Sequence, residues 1–222
     1  MTSALPDHLA GPSLAHRPAH VRWIAGGTAA GKSTPTRLRA ERHGAEVLDG
    51  DRAEHRWPDR CDPVRHPRLA ALCDRPPGTL WHEGTPRQVF RAMPSPHGGT
   101  TGFLVDDLLA DRPVLVDWSG ILPRDLAPLL RRPEQAVSLL PTPAFRKAAL
   151  TAWYADPARA GATWGDQDPR TARAGATRDD LRGQEVRRQA PPHGAALLTV
   201  DGTTPAAELA ERVFTRFALP GR

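Results

Sequence analysis

Lysine is almost missing from this chain. Of 30 basic residues only Lys32 and Lys147 are not arginine. Aromatic residues are also scarce, with one tyrosine and five phenylalanines, so a stacking platform for nucleobases is poorly supplied despite six tryptophans. Cys61 and Cys73 are too few and too far apart for a disulfide framework or a zinc knuckle, and read as idle or buried thiols. No apolar run approaches the ~20 residues that a membrane span needs. The start, MTSALPDHLAGPSLAHRPAH, lacks the basic stretch and continuous apolar core of a signal peptide. These absences set aside a secreted disulfide scaffold, a zinc module and a membrane protein. The expected setting is cytoplasmic, with residues 1–19 a flexible lead-in to one domain over 20–222.

At 222 residues and 39% hydrophobic content the chain can bury a sizeable core. Its net charge is +5 and its pI about 10.1, a balance that can signal a nucleic-acid partner. Against that partner, the arginines are scattered and no basic run exceeds two residues.

One stretch does carry chemistry. Residues 26–33 read GGTAAGKS, with Gly26, Gly31, Lys32 and Ser33 at the fixed positions of Gly-x-x-x-x-Gly-Lys-Ser. That spacing suits a loop whose backbone N–H groups point inward at one anion, with glycines where phosphate oxygens must approach the backbone. Lys32 would reach the β- and γ-phosphates of ATP and the Ser33 hydroxyl would ligate Mg2+, so Gly26, Gly27, Thr28, Ala29, Ala30, Gly31, Lys32, Ser33 and Thr34 are the expected ATP-binding residues. A strand must precede the loop and a helix follow it. VRWIA (21–25) supplies the first and KSTPTRLRAERH the second, with Pro35 in the first helical turn, where its missing N–H costs little. A chain that writes nearly every cation as arginine has kept lysine where a compact ammonium is needed.

Five apolar, β-rich runs alternate with helical or loop material: 21–25, 45–48, 114–117, 136–140 and 195–200. The pattern predicts an α/β fold, a five-stranded parallel sheet with helices on both faces. Helices are expected over 32–43, 64–73, 85–92, 102–110, 122–130, 143–154, 178–189 and 205–217. Residues 52–101, rich in Pro, Arg, His and Trp, read as a substrate-side insertion. Residues 155–180, small, polar and arginine-studded, read as a lid.

In such sheets the ligand lies beyond the carboxyl ends of the strands, so the residues just after each strand carry the argument. After the second come Asp49 and Asp51 around Gly50. Asp51 can accept a proton from an acceptor hydroxyl, and both are candidate substrate contacts; the competing reading is that the pair caps the next helix. After the third comes VLVDWSG, where Asp117 would support Mg2+ through the loop serine and Ser119 would line the cleft, Trp118 being more apt to lie in the core. Arg178, among the arginines of the lid segment, is the expected group to close over the transferring phosphoryl, with Arg170, Arg173 and Arg182 weaker candidates. After the fifth strand, Thr203 or Thr204 is expected to cap the last helix ahead of Pro205.

With GGTAAGKST, LDGDRAEHR, DPVRHPRLAAL, VLVDWSGILP, LLPTPAFRKAAL and TRDDL assembled, the chain resembles the nucleoside-monophosphate-kinase-like branch of phosphate-loop proteins, and more narrowly small AAA-type ATPase or kinase-like proteins. It is similar at a distance to chloramphenicol phosphotransferase, shikimate kinase and adenylylsulfate kinase. The resemblance implies ATP with Mg2+ and phosphorylation of a hydroxyl on a small molecule, an antibiotic or specialised metabolite by analogy. It carries the carboxylate base onto Asp51 and the lid arginine onto Arg178, with Lys32 the third catalytic residue. Pro35 and the insertion depart from the pattern. Two other readings stand beside it: a nucleic-acid end kinase, which the pI favours and the scattered charge disfavours, and a nucleotide-dependent switch without transfer.

Overall fold

The apolar run that leads into the glycine-rich loop forms the central strand of a sheet. In the computed structural model, which describes residues 20–75, 84–108, 113–156 and 169–217, β1 (Val21–Gly26) is buried at every position except Arg22. A strand covered on both faces must be apolar at consecutive positions rather than at alternate ones. β3 (Val114–Asp117) and β4 (Ala136–Pro141) follow the same rule. β2 (Glu46–Asp49) and β5 (Ala196–Val200) are more exposed, and they are the two edges. The five strands are all parallel, in the order β2-β3-β1-β4-β5. The α/β class and the strand bounds thus agree with the sequence reading to within one residue at each end.

Helices connect the strands. β1 is followed by α1 (Ser33–His43), and β2 by α2 (Gly50–Glu54), α3 (Pro67–Cys73), α4 (Pro86–Ala92) and α5 (Thr101–Asp107). β3 leads to α6 (Pro123–Leu126), β4 to α7 (Pro143–Ala155) and α8 (Pro169–Gln189), and β5 to α9 (Ala206–Arg216). Alternation along β1 sends its side chains to opposite faces. Val21, Trp23 and Ala25 join a cluster with Ala53, Leu69 and Phe103, from α2, α3 and α5. Ile24 joins a second cluster with Leu38 of α1 and Val213 and Phe214 of α9. Helices therefore cover both faces.

The stretch read as an insertion is built into the first cluster. Trp57, 1% exposed, stacks on Phe103 at 5.9 Å and meets Trp118 edge-on at 5.4 Å. Its indole N–H donates to Asp107 at 3.0 Å, which satisfies the one polar atom that burial would otherwise orphan. The helix expected over 178–189 begins earlier, inside the segment read as a lid. Residues 157–168 lie outside the described residues, as do 1–19, while 169–180 form the first half of α8 rather than irregular chain. Alanine and arginine are good helix formers, and Pro169 suits a first helical position, so the helix starts well before residue 178. Arg146 on α7 holds that half in place through Asp180 at 2.9 Å and the Ala176 carbonyl at 3.4 Å. The last helix differs too. Thr203 donates through its hydroxyl and N–H to Asp201 at 2.7 and 2.9 Å, and Pro205 stands at the cap position with no side-chain cap.

Candidate functional site

The order of the strands decides what meets at their carboxyl ends. The chain leaves β1 towards β2 and β3 on one side, then crosses to β4 and β5 on the other. Crevices in parallel sheets form where the direction of winding reverses. Here that point lies at the end of β1, and the residues that follow β1 are Gly27 to Lys32.

The loop is tightly determined. Gly26 has φ +123°, and a Cβ there would lie 2.0 Å from the Leu139 carbonyl oxygen of β4. Only glycine fits both the dihedral and the approach. The Gly27 N–H donates to the same carbonyl at 2.8 Å. Ala29 adopts φ +58° and Gly31 φ +74°, so the loop contains a non-glycine residue in the left-handed region, a conformation that persists only where surroundings enforce it. Ala30 is fully buried, and the Thr34 N–H returns to the Gly31 carbonyl at 3.2 Å. Lys32 is 7% exposed, and its Nζ donates back across the loop to the Gly27 carbonyl at 3.1 Å. One of three ammonium donors is thereby used. α1 begins at Ser33 with no side-chain cap and no acid in its first turn. Its positive dipole end therefore faces the loop without a compensating carboxylate.

Register brings the acids to this loop. Asp117 pairs with Ile24 of β1 on one side and Asp49 of β2 on the other. Burial raises the Asp117 carboxyl above its ordinary range, and Asp51 and Asp49 push the same way; the Lys32 charge and a hydrogen bond from Ser33 oppose them. Ser33 and Asp117, expected as the Mg2+ pair, are therefore in contact. The described residues hold no cluster of three metal-binding side chains. Mg2+ at phosphate sites needs none, because one or two carboxylates and the phosphates themselves suffice. The donor set fits the ion.

Asp49 and Asp51 divide the roles that the sequence left open. Asp49 is the N-cap of α2, accepting the Arg52 N–H at 3.0 Å. Asp51 is in the first turn and exposed, and it accepts the Ser119 hydroxyl at 2.9 Å and the Ser119 N–H at 3.4 Å. Its contact thus joins the ends of β2 and β3. Between them sits Trp118, 1% exposed, so close that a Cβ on either Gly50 or Gly120 would lie 2.3 Å from its ring. It is a wedge in the core rather than a cleft wall.

Arg178 is not at a lid tip. It is half-buried on α8, with Nε and Nη2 on Asp179 Oδ1 at 3.1 and 2.9 Å. The more telling arginine is Arg182, one helical turn on. Arg182 is 5% exposed with its Nε unpartnered, and burial lowers its pKa; Asp179, Glu54 and Asp51 act on it as opposing charges. Glu54 was not singled out from the sequence at all. Burial pushes its carboxyl up to about 7, with the Asp51 charge acting the same way, while the Ser95 hydroxyl, which donates to Glu54 Oε1, and the Arg182 charge oppose them. Two carboxylates one turn apart thus differ in environment: Asp51 exposed and bonded to Ser119, Glu54 half-buried and bonded to Ser95.

This predicts a pH dependence of stability. Folded Glu54 titrates near 7 and unfolded near 4.5, so between those values the folded state binds more protons. The stabilisation is complete below pH 4.5, declines as pH rises, and is lost above 7; one pKa unit is about 1.4 kcal/mol, so the group accounts for on the order of 3 kcal/mol. Glu54→Gln keeps an acceptor for Ser95 and removes the titration. Urea unfolding between pH 5 and 8 should show a flatter dependence and a variant more stable than the parent at pH 8. An unchanged slope would remove Glu54 from this role.

A scan against models of known protein families finds no match, and no curated protein matches the chain significantly.

Proposed function

We propose that this chain is an ATP- and Mg2+-dependent phosphotransferase of the phosphate-loop, kinase-like class, with a hydroxyl of a small molecule as acceptor. One observation carries the reading. A glycine-flanked loop closes on buried Lys32 at the reversal point of the sheet, and the next residue, Ser33, is bonded to Asp117 beside Asp51. Spare ammonium donors and an uncapped helix start favour a polyphosphate over any other anion.

Bound ATP and Mg2+ would supply the phosphoryl group and the countercharge. The protein's share is positioning and electrostatics. Lys32 and the backbone of Thr28 to Gly31 would hold anionic oxygens, and Ser33 and Asp117 would orient the cation. Asp51 receives the proton of the acceptor hydroxyl, with Ser119 fixing which of its oxygens is free. Arg182, braced by Asp179, sets the charge of the cleft beside Glu54, and Arg178 supports it from one turn away.

The test is a 31P or mass-shift screen of ATP with Mg2+ against hydroxylated antibiotics, nucleosides and sugars. Phosphorylation of a member of that panel is the expected result. Saturable ATP binding with no turnover against any acceptor would instead identify a nucleotide-dependent switch. The pI of about 10.1 favours one further arm, oligonucleotide binding across a salt series. Affinity that falls steeply with salt, together with phosphorylation of strand ends, would transfer the assignment to a nucleic-acid end kinase.

A further inference from the structure

Away from the loop, α4, α6 and α8 enclose a cleft of about 370 Å³ around Phe90 and His97, and its charge is lopsided. Arg87, Arg91, Arg124 and Arg188 line it, while Glu185 is the one carboxylate among the described lining residues. Glu185 is already engaged, accepting Arg188 at 2.6 Å and Gln189 at 3.0 Å, and Arg124 leans on Asp125 at 3.2 Å. Arg87 and Arg91 have no carboxylate partner among the described residues. They stand four residues apart on α4, where like charges repel, and the Arg68 guanidinium bonded to the Arg91 carbonyl at 3.3 Å adds a third cation. The field is felt locally. Burial lowers the pKa of His97, and Arg68 and Arg124 lower it further. Its Nε2 donates to the Phe90 carbonyl at 3.0 Å.

A cleft of this volume is the size of a small-molecule site, with an aromatic floor and guanidinium groups that match the fork geometry of carboxylate or phosphate. Two of its lining residues are near neighbours in sequence of residues around Glu54. His97 lies two residues after Ser95, which bonds Glu54, and the lining residue Leu181 precedes Arg182 on α8. We propose that this cleft binds the anionic part, a phosphate or a carboxylate, of the acceptor molecule. As a statement about the acceptor this rests on the phosphotransfer reading; as a statement about an anion site it does not.

Inorganic phosphate and succinate are therefore titrated separately into the full chain, with the His97 ring resonances as readout. ATP binding is measured in parallel. Saturable shifts with either probe are expected. In Arg87→Ala/Arg91→Ala the dissociation constant should rise about tenfold or more, the loss of charge-assisted contacts. Both side chains are exposed and repel one another, so the variant should keep its melting temperature. Phosphate alone binding identifies a phosphorylated acceptor, and succinate alone a carboxylic one. Shifts that fail to saturate, or that survive the double substitution, would overturn the site. In the transfer screen, acidic acceptors should show a KM about tenfold higher in the variant while neutral ones are unchanged; transfer confined to neutral acceptors overturns the acceptor assignment. Anion binding without any ATP binding would sink the phosphotransfer reading and leave the cleft standing.

Discussion

Lys32→Ala should yield a folded protein whose nucleotide turnover falls by about two to three orders of magnitude. The side chain is nearly buried and spans the loop to the Gly27 carbonyl, and no other lysine lies between residues 33 and 146 to replace it. Loss of one preorganised donor at a centre of developing charge costs about 10²–10³-fold in rate. ATP affinity should fall by roughly 10–100-fold, the worth of one charged hydrogen bond. The fold should survive because the loop is fixed by other means: Gly26 against Leu139, the Gly27 N–H on the same carbonyl, and the buried Ala30. One secondary effect is specific. Without the ammonium, Asp117 loses the main charge that opposes its burial, so its pKa should climb further. Turnover rate, calorimetric ATP titration and circular dichroism check the three parts. Full turnover at unchanged affinity would mean that the loop does not serve a nucleotide.

Asp51→Asn should separate chemistry from binding. The amide keeps an oxygen that can accept both bonds from Ser119, so the junction between β2 and β3 is preserved. It cannot take a proton from a hydroxyl. General-base assistance contributes about 10²–10⁴-fold, and acceptor phosphorylation should drop by that much with ATP affinity little changed. Capping does not confuse the outcome, since Asp49 rather than Asp51 caps α2, and Asn would cap as well. If raising Mg2+ restores much of the activity, Asp51 acts on the ion instead. Near-normal turnover would move the base to Glu54, whose carboxyl titrates near 7 at the same helix.

What the sequence disclosed was local. Consecutive burial made β1, β3 and β4 visible as apolar runs, and Lys32, Ser33, Asp51, Asp117 and Ser119 became candidates because each stands in a fixed relation to a strand end. The lateral order of the strands was not visible, because periodicity reports which faces are buried and not which strand lies beside which. The pairing of Asp49 with Asp117 came from that order. Glu54 was hidden, and Arg182 only weakly marked, for another reason. A glutamate in a short helix and one arginine among many look solvated; the surroundings of Glu54 come from Ser95, Trp118 and Arg182, all distant from it in sequence. α8 was truncated in the reading because an alanine- and arginine-rich stretch has the composition of a loop as well as of a helix.

The placement of the two lysines also determines how the protein meets amine-directed chemistry. Lys147 is exposed on α7, while Lys32 is nearly buried and turned inward on the Gly27 carbonyl. An acylating or biotinylating reagent therefore finds a single open ε-amine on the body of the protein, on a helix that follows β4. A tether or fluorophore attached through Lys147 leaves the glycine-rich loop unmodified. A reagent that does reach Lys32 reports, by reaching it, that the loop has opened.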